Sequence, residues 1–133
     1  MGKLRFLLAL WASKLVAVII KIVDGARGTN LPGVVALKID PLFITHIKGI
    51  NPEKTVFITG TNGKSSTTKL LYHVLTQSGY KVISNLGGAN LTTGVAVPLL
   101  KKASLTGKIS CDFMVMETDE RYISPIRKQL PAK

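Results

Sequence analysis

Apolar and polar positions change period several times along this chain, and each change predicts an element. The residues from Leu4 to Val23 are mostly apolar, in a run long enough for one helix. Its polar members are not scattered. At 3.6 residues per turn Lys14 and Lys21 fall within about 20° of each other, with Arg5 less aligned. One side of the helix is therefore partly polar. That predicts an amphipathic helix packed on a core, with contact to a membrane surface as the alternative. The run is also long enough to span a bilayer, but Lys14 at its middle would cost about 2.5–3.5 kcal/mol there. The shorter run Phe6 to Ala12, behind Lys3 and Arg5, has the outline of a signal-peptide core. The start Met-Gly-Lys-Leu-Arg-Phe places Phe6 where N-myristoylation needs Ser or Thr.

Beyond Val23 the period breaks. Gly25, Gly28, Asn30, Pro32 and Gly33 predict a loop over Asp24 to Gly33. Val34 to Ile39 is a short apolar run. Asp40 as a cap, with Pro41 in the first helical position, predicts a short helix to about Ile47, and Gly49 to Lys54 reads as a linker. From Thr55 the pattern becomes regular. Thr55 to Thr59 is β-branched without polar alternation, as a buried parallel strand would be. Lys64 to Ser78 predicts a helix with Leu70, Leu71, Val74 and Leu75 on one face, stopped by Gly79. Lys81 to Ser84 predicts a second strand, Asn85 to Thr93 a loop, and Gly94 to Ala103 a helix that must accommodate Pro98. Asp112 to Glu117 predicts a third strand, and Tyr122 to Leu130 a last helix with Pro125 in its first turn. This β-α-β-α-β order predicts an α/β fold with a parallel sheet flanked by helices. Residues 1–50 form a short helical or extended segment before it, and the nucleotide-handling part occupies 51–133.

Composition changes the picture in one respect. The hydrophobic fraction of 46% is ordinary for a globular chain, but the net charge is +11. A basic surface attracts nucleotides, nucleic acid or anionic lipid without choosing among them. No basic run is interleaved with aromatics, so nucleic acid is not an expected partner. The single cysteine, Cys111, excludes an internal disulfide and reads as a buried, inert thiol. His46 and His73 are far apart, and no cysteine or histidine cluster has metal-ligand spacing.

The chemistry is concentrated in Thr59-Gly60-Thr61-Asn62-Gly63-Lys64-Ser65-Ser66-Thr67. A strand, a glycine-bounded loop carrying Gly-Lys-Ser, and a helix make the layout of a phosphate-binding P-loop. Glycines let backbone N–H groups turn around an anion, and the helix that follows adds its positive end. Lys64 would reach the outer phosphates and Ser65 would ligate Mg²⁺. The spacing departs from the usual form: its first glycine would fall at Ile58, and stands instead at Gly60.

Parallel sheets bind ligands at the carboxyl ends of their strands, and two further polar groups are expected at that edge. Glu117, Asp119 and Glu120 follow the third strand. Mg²⁺ takes one or two carboxylates beside phosphate oxygens, and Glu117 closes the strand, so it is the first candidate. The plain reading of this group, stronger for Asp119 and Glu120 than for Glu117, is a solvated acidic turn, and carboxylates three residues apart could also cap the next helix. The second group is Asn85-Leu86-Gly87-Gly88-Ala89-Asn90-Leu91-Thr92-Thr93-Gly94, where glycines permit close backbone approach and asparagines both donate and accept.

The shortened P-loop, this glycine–asparagine loop and Met116-Glu117-Thr118-Asp119-Glu120 together resemble the start of the central domain of the Mur ligase superfamily. Arg27-Gly28-Thr29-Asn30-Leu31-Pro32-Gly33, with Val35 to Pro41, resembles the subfamily of MurT subunits of lipid II isoglutaminyl synthase. The resemblance implies an ATP- and Mg²⁺-dependent amide ligase of peptidoglycan synthesis. In such enzymes ATP activates the α-carboxylate of D-glutamate in lipid II as an acyl-phosphate, and ammonia from a GatD-like glutaminase subunit attacks it. It further implies that Lys64 stabilises the transferring phosphoryl group and that Ser65 and Glu117 hold Mg²⁺. Gly60, Thr61, Asn62, Gly63 and Ser66 would line the phosphates, with Asn85 and Asn90 as additional contacts.

The family continues beyond the point where this chain stops, with more nucleotide contacts, a cysteine-rich metal-binding insertion and the glutaminase interface. The chain is therefore expected to be an amino-terminal part, inactive alone, with an unfinished sheet edge. A cytoplasmic location is expected, with peripheral contact to the inner membrane face through residues 4–23 as a further element. Two alternatives stand beside this reading. One is a folylpolyglutamate synthase or another Mur ligase. The other is a non-catalytic, membrane-associated nucleotide-binding module.

Overall fold

Strands Thr55–Ile58 (β1), Val82–Ser84 (β2) and Phe113–Glu117 (β3) pair in parallel in the order β1-β3-β2. The computed structural model describes residues 2–25, 29–86 and 91–130. Its helices are Gly2–Asp24 (α1), Leu31–Ile39 (α2), Phe43–His46 (α3), Lys64–Gln77 (α4), Thr92–Lys102 (α5) and Glu120–Gln129 (α6). A parallel pair needs a crossover, and α4 and α5 both lie between strands in the chain. Register places Thr55 opposite Met114 and Ile58 opposite Glu117, so β1 and β3 end level with each other.

The alternation of side chains along β3 divides the molecule. Met114 and Met116 join Ile83 in the main core, while Glu117 reaches α4. That core also takes Phe6, Ala9 and Leu10 from α1, Ala36 from α2, Phe43 and Ile44 from α3, and Leu99 and Leu100 from α5. The first fifty residues therefore share one apolar cluster with the strands. Phe6 and Phe43 meet at a centroid distance of 5.3 Å, and burying each large apolar side chain contributes about 1.5–3 kcal/mol. Inside α1, the buried Ser13 hydroxyl donates to the Ala9 carbonyl at 2.5 Å. Lys14 donates to the carbonyl of Ala103 at 2.6 Å, and partial burial lowers its pKa. The lysine that argued against a membrane span is thus tied to the C-terminal end of α5.

Several sequence expectations need correction. The apolar run Val34–Ile39 belongs to a helix that starts at Leu31, with Pro32 in its first turn, where a missing N–H costs nothing. Gly33 in that helix lies so close to α5 that a Cβ there would stand 2.2 Å from the Thr93 carbonyl oxygen. The short helix begins at Phe43 rather than Pro41, because Asp40 closes a turn instead of capping directly. Its Oδ1 accepts from Leu42 N at 3.1 Å, and its Oδ2 meets His46 Nδ1 at 2.7 Å. β1 is not buried on all sides. It is an outer strand among the described residues, and Val56 is 40% exposed. The leucine face of α4 is split in the same way, with Leu71 and Leu75 half-buried but Leu70 67% and Val74 54% exposed. α4 rests mainly on β3, which leaves that outer flank largely in solvent. Pro98 sits inside α5 without ending it, and Pro125 lies within α6 rather than in its first turn.

Candidate functional site

The loop from β1 to α4 turns on two glycines and opens directly into a helix. Gly60 and Gly63 adopt φ of 146° and 78°, values that L side chains rarely take. Gly63 occupies the N-cap of α4 in the left-handed region, and its carbonyl accepts from Thr67 N at 2.9 Å. The N–H groups at the start of α4 lack helical partners, so this end of the helix is suited to an anion. Lys64 opens α4 and curls back over the loop, donating from Nζ to the Gly60 carbonyl at 2.5 Å. Thr68, buried one turn later, donates to the Lys64 carbonyl at 2.8 Å and anchors that first turn.

Glu117, at the end of β3, meets this loop. The Ser65 hydroxyl donates to its Oε1 at 2.9 Å, across a sequence separation of 52 residues. Thr61, Asn62, Gly63, Lys64, Ser65, Ser66 and Glu117 line one shallow hollow. Among the described residues no cluster of three or more His, Cys, Asp or Glu side chains is present. The paired oxygens of Ser65 and Glu117 nonetheless suit Mg²⁺, a hard cation that takes few protein ligands when phosphate oxygens and water complete its shell.

Asn85 is buried at the end of β2 and grips the backbone of Glu117. Its Nδ2 donates to the Glu117 carbonyl at 2.8 Å, and its Oδ1 accepts from Glu117 N at 2.8 Å. The amide expected to contact a nucleotide is thus engaged on the chain itself. Asn90 and Gly87 to Ala89 lie outside the described residues.

A second hollow shares Thr61 and Lys64 with the first, adds Gly60, and is closed by Asp119, Glu120 and Arg121. Asp119 caps α6 by accepting from Arg121 N at 3.0 Å. The Arg121 guanidinium also binds it in a fork, with Nε to Oδ1 at 3.0 Å and an NH₂ to Oδ2 at 3.1 Å. These hydrogen bonds hold the Asp119 carboxyl down at about 2. Asp119 and Glu120 therefore serve the cap and the rim, and Glu117 is the carboxylate turned onto the P-loop serine. Sequence reasoning missed Arg121, a cation on the rim of the hollow that Gly60, Thr61 and Lys64 line. Its signal was a basic residue in the first turn after an acidic strand end.

Comparison with known proteins identifies the family. The family model described as the Mur ligase middle domain matches residues 58–129. The MurT subunit of lipid II isoglutaminyl synthase (glutamine-hydrolyzing) from Staphylococcus aureus strain COL is 34% identical over 106 residues, covering 80% of this chain and 23% of that protein. The corresponding subunit from Streptococcus pneumoniae strain R6 is 40% identical over 101 residues, covering 75% of this chain and 22% of that protein. UDP-N-acetylmuramoylalanine–D-glutamate ligase from Rickettsia bellii is 39% identical over 92 residues, covering 67% of this chain and 17% of that protein. The chain spans less than a quarter of the length of these relatives. No solved structure matches it.

Proposed function

Because this chain belongs to the Mur ligase family, we propose that it supplies the phosphate-binding end of an ATP-dependent carbon–nitrogen ligase of peptidoglycan synthesis, in the cytoplasm. Residues 51–133 would begin the central domain, with 1–50 as its short preceding segment. The reaction is amidation of the D-glutamate α-carboxylate of lipid II. A carboxylate oxygen takes the γ-phosphoryl group of ATP and ADP leaves. Ammonia then attacks the acyl carbon and gives up a proton, the C–O bond to phosphate breaks, and phosphate leaves with that electron pair and takes up the proton, so the amide remains. A glutaminase subunit would provide the ammonia. This substrate and partner are carried over from the MurT relatives, which align with up to 80% of the chain.

The observation that carries the reading is the contact of Ser65 with Glu117 beside Lys64. In this chain Lys64 would leave the Gly60 carbonyl and neutralise the outer phosphates, as a preformed charge aimed at the transferring group. Gly60, Thr61, Asn62, Gly63 and Ser66 would bind phosphate oxygens around the turn. Ser65 and Glu117 would hold Mg²⁺, which would supply positive charge to offset the negative charge of the phosphates. Asn85 would keep the strand end carrying Glu117 in place.

The test is ATP binding by calorimetry with and without Mg²⁺. Lys64→Ala should weaken binding about 10- to 100-fold, the range for a lost hydrogen bond to a charged group. Failure of the unaltered chain to bind Mg²⁺–ATP would overturn the reading. Mass-spectrometric detection of amidated lipid II, with ATP and a glutaminase present, tests the reaction itself. The alternative within the family is amino-acid addition to a UDP-muramoyl acceptor, favoured by the 39% identity to the Rickettsia bellii ligase.

A further inference from the structure

α1 presents to solvent an apolar stripe that the core does not use. Leu4, Leu8, Trp11, Leu15, Val18 and Ile22 are 66%, 52%, 51%, 62%, 54% and 78% exposed. They step by fours and threes, so at about 100° per residue they stay within roughly 40° of one line along the helix. Phe6, Ala9, Leu10 and Ser13, the buried face, lie opposite. Cations mark the boundary between the two faces. Lys3, Lys14 and Lys21 fall within about 20° of one another, roughly a quarter-turn from the stripe, with Arg5 on the other flank. Lys14 and Lys21 also line a groove beside the stripe with Lys101 of α5, and Val18 belongs to both groove and stripe. No acidic residue precedes Asp24 in α1.

An exposed apolar stripe bordered by cations marks an interaction surface, and the charges choose its occupant. A second copy seated on the stripe would set its lysine ridge beside the other lysine ridge when antiparallel, or beside the Arg5 flank when parallel, with no acidic ridge to meet it in either case. An anionic lipid surface satisfies both features, because its acyl boundary takes the stripe and its headgroups take the lysines. We propose that α1 lies flat on an anionic membrane surface, with the Leu4–Ile22 stripe in the headgroup–acyl boundary and Lys21 and Lys101 on lipid phosphates. The helix lies along the surface rather than across it, since Phe6 and Leu10 are held in the core and Lys14 is bonded to Ala103. This docking rests on α1 and its neighbours, and does not depend on the ligase reading.

Flotation of the full chain with vesicles tests it, using phosphatidylcholine alone and phosphatidylcholine mixed with phosphatidylglycerol. The chain has one tryptophan, so Trp11 emission reports on the stripe. We expect binding to the anionic vesicles with a blue shift of Trp11. The pair Leu8→Glu and Leu15→Glu should abolish binding. Lys21→Gln with Lys101→Gln should weaken it about thirtyfold, since each lysine near an anionic leaflet is worth about fivefold. All four side chains are exposed, and an unchanged unfolding midpoint verifies that the variants fold. Equal binding to neutral vesicles, or binding retained by either pair, overturns the proposal. So does a concentration-dependent dimer lost in Leu15→Glu, or a Trp11 already shielded without vesicles. Mg²⁺–ATP affinity measured in the same samples separates the two readings: an unaltered chain that binds nucleotide but not anionic vesicles refutes docking alone.

Discussion

Replacing Asn85 by Ala tests how the candidate site is held together. Asn85 is 4% exposed, and its amide makes two hydrogen bonds of 2.8 Å to the N–H and carbonyl of Glu117. Alanine strips both backbone groups at once, next to a side chain that is itself 7% exposed. A buried polar group left without a partner costs about 1–3 kcal/mol. The space vacated by the amide admits a water that restores part of one bond, so the expected loss is about 2–4 kcal/mol. Urea unfolding followed by far-UV circular dichroism measures it. With a slope of about 1–3 kcal/mol/M for a small protein, the midpoint should fall by roughly 1–2 M. Asn85→Asp sharpens the test. It keeps an acceptor for Glu117 N but sets a carboxylate oxygen against the Glu117 carbonyl, so it should recover little of the loss. Because Glu117 faces Ser65, Mg²⁺-dependent nucleotide binding should weaken in both variants. A stability loss below about 1 kcal/mol in Asn85→Ala, with Mg²⁺ dependence unchanged, would refute the claim that Asn85 positions Glu117.

Three further outcomes follow from the site and the core. Glu117→Gln should keep the fold yet lower the Mg²⁺-dependent part of ATP affinity about 10- to 100-fold, the range for a charged hydrogen-bonding partner; titrations across Mg²⁺ concentrations read this directly. Gly107→Ala should cost roughly 2–4 kcal/mol, from strain at positive φ and overpacking. Gly107 has φ of 82°, and a Cβ there would stand 2.3 Å from Phe6 Cζ, so an unchanged melting midpoint would refute this packing of α1. Asp119, held at about 2 against an ordinary 3.8, binds protons less readily folded than unfolded. Its stabilising contribution is therefore complete above about pH 4 and lost as pH falls through about 2. Asp119→Asn should flatten the acid limb of stability in that window, measured by urea midpoints from pH 5 to 2.

Much of the candidate site was readable in the linear order, because a P-loop is local. Its glycines, lysine and serine are contiguous, and the left-handed turns at Gly60 and Gly63 are what glycine at those positions permits. The strand–helix alternation was readable for a similar reason: β-branched runs and helical periodicity are short-range properties. Asn85 was different. Its residue type announced a polar function at the sheet edge, but the partner depends on β2 lying beside β3, with Ser84 opposite Val115. Arg121 was missed because its position over the P-loop depends on where α6 leaves the sheet. The leucines of α4 misled because periodicity identifies an apolar face without saying whether anything covers it.

Local steric and hydrogen-bonding preferences along the chain were enough to specify a glycine-bounded loop carrying Lys64 and Ser65, three strands and a long apolar helix. They operate over a few residues and need no long-range partner. Three-dimensional packing was needed to decide which carboxylate faces Ser65, which amide holds it there, and which side of α1 stays in water. Those outcomes depend on groups far apart in sequence, such as Ser65 with Glu117 and Lys14 with Ala103. Their proximity is set by the sheet order and by the shared core.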